Sequence, residues 1–122
     1  MKKLILPLLA VFSLTACAAD KVEPAKAEEL IAKKAQLLDV RTQEEWDEGH
    51  LEGATRVEIG SDDFAAKVAE KFDKSKPLVV YCRSGGRSAR AAKQLEELGF
   101  ETVYDLKGGI TAWKDADKKV VK

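Results

Sequence analysis

"VVYCRSGGRSARAA", residues 79–92, runs from an apolar β-branched segment through a glycine-rich loop into a helix-like pattern. Cys82 stands where the apolar segment ends, and Ala91, Leu95 and Leu98 then follow at helical spacing. This order predicts a buried strand that enters a helix through a short turn. Strands with near-continuous apolar runs are typical of parallel sheets, whose crossover helices cover both faces.

The rest of the chain repeats this alternation of strand and helix. Strands are predicted at 36–40, 54–59, 77–81 and 102–106, and helices at 24–35, 42–49, 61–72, 86–98 and 108–116. The alternation predicts a single α/β domain, a parallel sheet with helices on both faces. Ligands of such sheets bind beyond the carboxyl ends of the strands, where Asp39 and Cys82 both lie.

Two helix starts carry capping signals, whereas the C-terminal tail is charged. Thr42 is followed three residues later by Glu45, which predicts a capping box. Ser61 precedes two aspartates and an apolar helical face, which predicts a serine N-cap. The charged tail from Lys114 is expected to fray.

Composition limits the classes of partner. The chain has 122 residues, 45% of them hydrophobic, enough for one domain with a real core. Its 21 basic and 21 acidic side chains cancel, so we expect no nucleic-acid partner. No cluster of His, Cys or carboxylate residues has metal-ligand spacing, and neither a metal nor another cofactor is expected. Nothing in the pattern demands more than a monomer.

The first twenty residues have the layout of an export signal. Lys2 and Lys3 precede an apolar run at 4–14, which is too short to span a bilayer as a stable helix. "LTAC", residues 14–17, resembles the bacterial lipobox, in which the cysteine is lipidated. The alternative is ordinary cleavage at the A-x-A site of residues 16–18.

The lipobox interpretation divides the chain into four parts. These are a signal peptide at 1–16, a short linker at 17–22, the α/β domain at 23–116 and a charged tail at 117–122. It predicts an exported protein on the periplasmic side, held to a bacterial membrane through a lipid on Cys17. Cys82 then has no second cysteine with which to form an intramolecular disulfide.

The loop after Cys82 is rich in groups that favour a thiolate. The start of the following helix and the side chains of Arg83 and Arg87 are positively charged, which predicts a lowered pKa for a thiol exposed there. Gly85 and Gly86 let successive N–H groups point inward as an anion-binding nest. A nucleophilic sulfur among such donors suits the chemistry of a small sulfur or phosphorus oxyanion. A purely structural cysteine would not explain the two arginines.

Three segments together resemble the signature segments of the rhodanese family, in their usual order and spacing. They are "LLDVRTQEEWDEGHLEGA" at 37–54, the segment at 79–92, and "LGFETVYDLKGGITAW" at 98–113. The resemblance implies that Cys82 attacks the outer sulfur of thiosulfate or a similar donor and becomes a persulfide. A thiol, or cyanide in an assay, then removes that sulfur.

The resemblance also implies roles for the residues around the cysteine. The donor and the persulfide would be held by the six loop residues Arg83, Ser84, Gly85, Gly86, Arg87 and Ser88, with the arginines on the donor's oxyanion. Asp39 and Arg41 match the first segment and are expected to support the base of the loop. We expect the Asp39 carboxylate to hold Arg87, with Arg41 as a further ion-pair partner.

Two other functions remain open. A related group of phosphatases and arsenate reductases shares this fold and a loop that runs from Cys to Arg. Those enzymes have five residues between the two, whereas four residues separate Cys82 from Arg87, and the tighter loop favours a single sulfur atom. The other alternative is a non-catalytic binding module of the same fold, although such modules typically lose the cysteine.

Overall fold

The computed structural model describes residues 19–122, in which five parallel strands form one sheet. The strands are β1 Asp20–Val22, β2 Gln36–Asp39, β3 Thr55–Arg56, β4 Leu78–Tyr81 and β5 Val103–Leu106. The helices are α1 Pro24–Ala32, α2 Gln43–Glu48, α3 Phe64–Lys71, α4 Gly86–Glu97 and α5 Gly109–Asp115. The strand order is β1-β5-β4-β2-β3, which places β4 between β2 and β5.

Alternate side chains of the strands build a hydrophobic core on each face of the sheet. On one face Leu38, Val80 and Cys82 pack with side chains of α3 and α4. On the other face Leu37 and Tyr81 pack with side chains of α1 and α5. All four residues of β4 are buried, because helices cover both sides of this central strand. The predicted α/β fold, with a parallel sheet and helices on both faces, is confirmed.

The capping signals have different outcomes. Thr42 and Glu45 form the complete capping box that begins α2, each side chain bonding the backbone of the other residue. The prediction of Ser61 as the N-cap of α3 is wrong, since Asp63 occupies that position and α3 begins at Phe64. The Ser61 hydroxyl instead donates to the carbonyl of Glu58 at 2.8 Å, so it stabilises the preceding turn.

Both ends of the described chain are more ordered than the sequence predicts. Part of the predicted linker, residues 20–22, is the edge strand β1, which pairs with β5 in the register Lys21–Asp105. The tail does not fray, because His50 and Val121 exchange two backbone hydrogen bonds of 2.8 Å. The Trp113 indole N–H also donates to the carbonyl of Lys119. Apolar contacts of Val120 with the core explain why this charged tail docks.

The predicted signal peptide and Cys17 lie outside the described residues. Among residues 19–122, no helix has the length and apolar character needed to cross a membrane.

Candidate functional site

Cys82 lies directly after β4, at the carboxyl edge of the sheet. We expected an exposed thiol, but Cys82 is only 1% exposed to solvent. The reason is that Gly85 and Ser88 of the loop contact the sulfur while the cysteine also packs into the core on the α4 side. A reactant must therefore meet the sulfur inside the loop.

The loop surrounds the sulfur with hydrogen-bond donors. The N–H of Gly85 donates to Cys82 Sγ at 3.0 Å. Ser88 Oγ lies 3.5 Å from the sulfur, where it accepts from the thiol or donates to the thiolate. Gly85 has a φ of 126°, a conformation that residues with a side chain rarely adopt. This conformation lets the chain turn sharply enough for its amide to face the sulfur.

These contacts determine the acidity of the thiol. Burial is the largest single influence and raises the pKa of Cys82, but the hydrogen bonds outweigh it and leave the pKa below its ordinary value. They come from the Ser88 side chain and from the backbone N–H groups of Ser88, Gly85 and Ser84. The sequence predicts this direction from the arginines and the start of the helix, whereas these hydrogen bonds of the loop produce it in the structure.

The start of α5, the helix that follows the neighbouring strand β5, supports the loop. The sequence does not predict this role. The N–H groups of Ile110 and Thr111 donate to the carbonyls of Cys82 and Arg83 at 3.0 and 3.1 Å. A Cβ atom on Gly109 would lie 2.5 Å from the Cys82 oxygen and would also collide with the Arg83 carbonyl. Only glycine allows this approach, and the sequence signal for it was the Gly-Gly pair that follows β5.

The ion pairs at the base of the loop differ from the expected ones. Asp39 does not hold Arg87, because both carboxylate oxygens of Asp39 are bound by Arg41 within 3.1 Å. This pair is buried, and Arg41 also donates to the carbonyl of Gly49 at 2.8 Å. Asp39 and Arg41 therefore brace the end of β2 against the turn after α2.

Arg87 is instead paired with Glu45, a residue that the sequence analysis assigned only to helix capping. Two parallel hydrogen bonds of 2.7 and 2.8 Å join the guanidinium to the carboxylate. The Arg87 hydrogen bond is the main cause that lowers the pKa of Glu45 to about 2, against a smaller opposing effect of burial. The carboxylate is thus ionised throughout the neutral range.

Arg83 has a different environment. It is exposed, and within residues 19–122 its side chain makes no hydrogen bond or ion pair. The positive charge of Arg87 is therefore balanced by the Glu45 carboxylate, whereas no carboxylate in the described part of the chain pairs with Arg83. Of the six predicted loop residues, Ser84, Gly85 and Ser88 form hydrogen bonds with the sulfur, while Asp39 and Arg41 pair with each other at the end of β2. Residues 19–122 contain no cluster of three or more potential metal ligands.

Comparison with known proteins identifies relatives over most of the chain. Residues 23–116 match the family model described as "Rhodanese-like domain". "Thiosulfate sulfurtransferase 16, chloroplastic" of Arabidopsis thaliana is 38% identical over 71% of this chain and 80% of its own length. "Thiosulfate sulfurtransferase GlpE" of Shewanella oneidensis is 37% identical over 70% of this chain and 82% of its own.

A solved structure has the same fold. The rhodanese-like domain of an Anabaena protein superposes with a TM-score of 0.74 and 26% identity, over 83% of this chain and 77% of that domain.

Proposed function

The chain belongs to the rhodanese family and is an enzyme of the thiosulfate sulfurtransferase type, and we propose that it carries sulfane sulfur as a persulfide on Cys82. The observation that supports this mechanism is the set of donors around the sulfur, above all the Gly85 N–H at 3.0 Å. Such donors hold the charge of a thiolate, and they can hold the charge of a terminal persulfide sulfur in the same loop.

The reaction has two half-reactions. The Cys82 thiolate attacks the outer sulfur of thiosulfate, a new S–S bond forms, and the old S–S bond breaks so that sulfite leaves with the electron pair. A nucleophile then attacks the outer sulfur of the persulfide, and the electron pair of that S–S bond returns to Cys82. With cyanide as the acceptor the second product is thiocyanate. Covalent carriage of this kind gives ping-pong kinetics.

We assign the binding of the donor's anionic end to Arg83. Its guanidinium is exposed and uncompensated, whereas that of Arg87 is neutralised by Glu45. A guanidinium binds a sulfonate group by paired hydrogen bonds. Arg87 then serves mainly to tie the loop to α2.

A panel of donors and acceptors tests the proposed function. We expect thiocyanate from thiosulfate and cyanide, and no release of phosphate from an aryl phosphate. Phosphate release without sulfur transfer would support the phosphatase alternative. Activity in neither assay, with the protein folded, would support the non-catalytic binding module.

The Glu45–Arg87 pair yields a prediction on donor affinity. Glu45→Gln should release Arg87 and add one net positive charge at the loop. KM for thiosulfate should fall about threefold to tenfold, which is about 1 kcal/mol, the size of a well-placed exposed ion pair. The change in kcat should be smaller. Steady-state kinetics with thiosulfate measures both, and Gln at this position can still complete the capping box with Thr42.

Glu44→Gln is the matched control for this variant. Glu44 is exposed on the same helix turn, and its loss changes the net charge of the protein equally. KM should stay at the wild-type value. A KM for Glu45→Gln that equals the wild-type value, or rises, would mean that Arg87 does not gain access to the donor.

We also propose that the protein is exported and tethered to a membrane through a lipid on Cys17. Two or more acyl chains give stable anchoring, since each buried methylene contributes roughly 0.8 kcal/mol. Cys17→Ser should move the protein from the membrane fraction to the soluble periplasmic fraction, as followed by immunoblotting of fractionated cells. Cys82→Ser, which leaves the lipobox intact, should stay with the membrane. Wild-type protein in the soluble fraction would favour ordinary cleavage at residues 16–18.

A further inference from the structure

A line of contacts leads from the reactive sulfur to the edge strand β1. Beyond Cys82 Sγ, the Ser88 hydroxyl donates to Asp105 Oδ1 at 2.6 Å, and the Lys21 ammonium donates to Asp105 Oδ2 at 2.9 Å. Cys82, Ser88 and Asp105 are each at most 2% exposed. Lys21 lies on β1 and precedes the family match, which begins at residue 23.

The hydroxyl of Ser88 has one proton and three neighbouring acceptors. Asp105 Oδ1 is nearest at 2.6 Å, the Gly85 carbonyl lies at 3.2 Å, and Cys82 Sγ lies at 3.5 Å. The hydroxyl lowers the pKa of Cys82 when it donates to the sulfur. While Asp105 accepts that proton, Ser88 presents a lone pair to the sulfur, which suits a thiol and not a thiolate. The carboxylate charge, only one hydroxyl away, also opposes a thiolate.

Lys21 is the group that offsets this opposition. Its ammonium forms an ion pair with Asp105 at 2.9 Å, and such a pairing makes a carboxylate a weaker acceptor for another donor. The other charged groups near this carboxylate are Lys93, Glu96 and Glu97 of α4, which line a cavity of about 560 Å³ shared by Asp105 and Lys21. The loop residue Arg87 pairs with Glu45. Lys107, which directly follows β5, pairs with Glu23.

We propose that Lys21 is a positioning residue that acts through Asp105 and Ser88 to set the balance between thiol and thiolate at Cys82. Because the pairing of β1 with β5 places Lys21 beside Asp105, the reactivity of Cys82 then depends on that pairing. The inference deepens the proposed function, but it concerns the acidity of the cysteine and does not require that the enzyme transfer sulfur.

The test is the pH dependence of alkylation of Cys82 by iodoacetamide in the full chain, followed on the Cys82 peptide by mass spectrometry. Lys21→Met should move the midpoint of the rate–pH profile upward and slow alkylation at neutral pH about threefold to tenfold, with the same plateau at high pH. Asp105→Asn should move the midpoint downward. Lys21→Arg retains the charge and should reproduce the wild-type profile.

Lys107→Met is the matched control, because Lys107 directly follows β5 and its ion pair with Glu23 at 3.3 Å involves neither Asp105 nor Ser88. Its midpoint should equal that of the wild type. An unchanged midpoint in Lys21→Met, an equal shift in Lys107→Met, or a uniform loss of rate at every pH would overturn the proposal. If the midpoints shift as expected but thiosulfate leaves no sulfur on Cys82, the inference stands and the proposed function fails.

Discussion

Cys82→Ser is expected to abolish both the uptake of a sulfur atom from thiosulfate and all turnover, while the fold stays intact. A serine hydroxyl is almost never ionised at neutral pH, so the variant has no nucleophile for the outer sulfur. The loss should reach about four orders of magnitude or more, as when the nucleophile of another covalent enzyme is removed. The hydroxyl is nearly isosteric and can accept the hydrogen bond that Gly85 N–H gives to the sulfur.

Intact-mass spectrometry before and after thiosulfate measures this effect directly. The wild-type protein should become heavier by one sulfur atom and return to its starting mass on addition of cyanide, with thiocyanate formed in step. Cys17→Ser removes the other cysteine of the chain and should keep both mass changes. Cys82→Ser should show neither, with a thermal unfolding midpoint close to that of the wild type. An unmodified wild-type Cys82 under excess thiosulfate, together with hydrolysis of an aryl phosphate, would replace the sulfurtransferase mechanism by the phosphatase one.

Features that depend on neighbouring residues could be predicted from the sequence. The apolar strands, the helical periodicities and the loop from Arg83 to Ser88 are encoded within short segments, and the loop follows its cysteine directly. The Thr42–Glu45 capping box belongs to the same class, since its partners are three residues apart. Local pattern therefore identified the fold class and the loop whose Gly85 amide donates to the sulfur.

Features that depend on which elements become neighbours could not be predicted. Glu45 is 42 residues from Arg87 and reaches it because β2 lies beside β4. From the sequence, Asp39 was an equally reasonable partner, but Arg41 is closer along the chain and occupies both oxygens of that carboxylate. Periodicity cannot reveal a choice between a carboxylate at the end of β2 and one in the helix α2.

The edge strand β1 shows the same limit. Three residues carry no useful periodicity, and only Val22 of them is buried. These residues form a strand because their backbone pairs with the edge of β5. The contact between Lys21 and Asp105 is a consequence of that register, and no local sequence pattern around either residue predicts it.

Gly109→Ala is expected to cost most of the activity although it touches no reactant. The new methyl group would lie 2.5 Å from the Cys82 oxygen, which is backbone and cannot swing aside. Gly109 also has a φ of 61°, where a residue with a Cβ pays about 1–2 kcal/mol. The loop must therefore move away from α5, which disrupts the 3.0 Å bond from Ile110 N–H and turns the amides away from the sulfur. A displacement of about 1 Å in such a site can lower the rate on the order of a hundredfold.

Gly53→Ala separates the collision from the backbone strain. Gly53 has a φ of 87°, yet a Cβ there would meet no atom within 4 Å. This control should lose a comparable conformational energy in thermal unfolding and keep its wild-type kcat/KM with thiosulfate. Gly109→Ala should lose about a hundredfold in kcat/KM and should also show slower alkylation of Cys82 at neutral pH, because the amides that favour the thiolate have turned. If Gly109→Ala is as active as Gly53→Ala, the start of α5 does not hold the loop, and the inward amides depend on the loop residues alone.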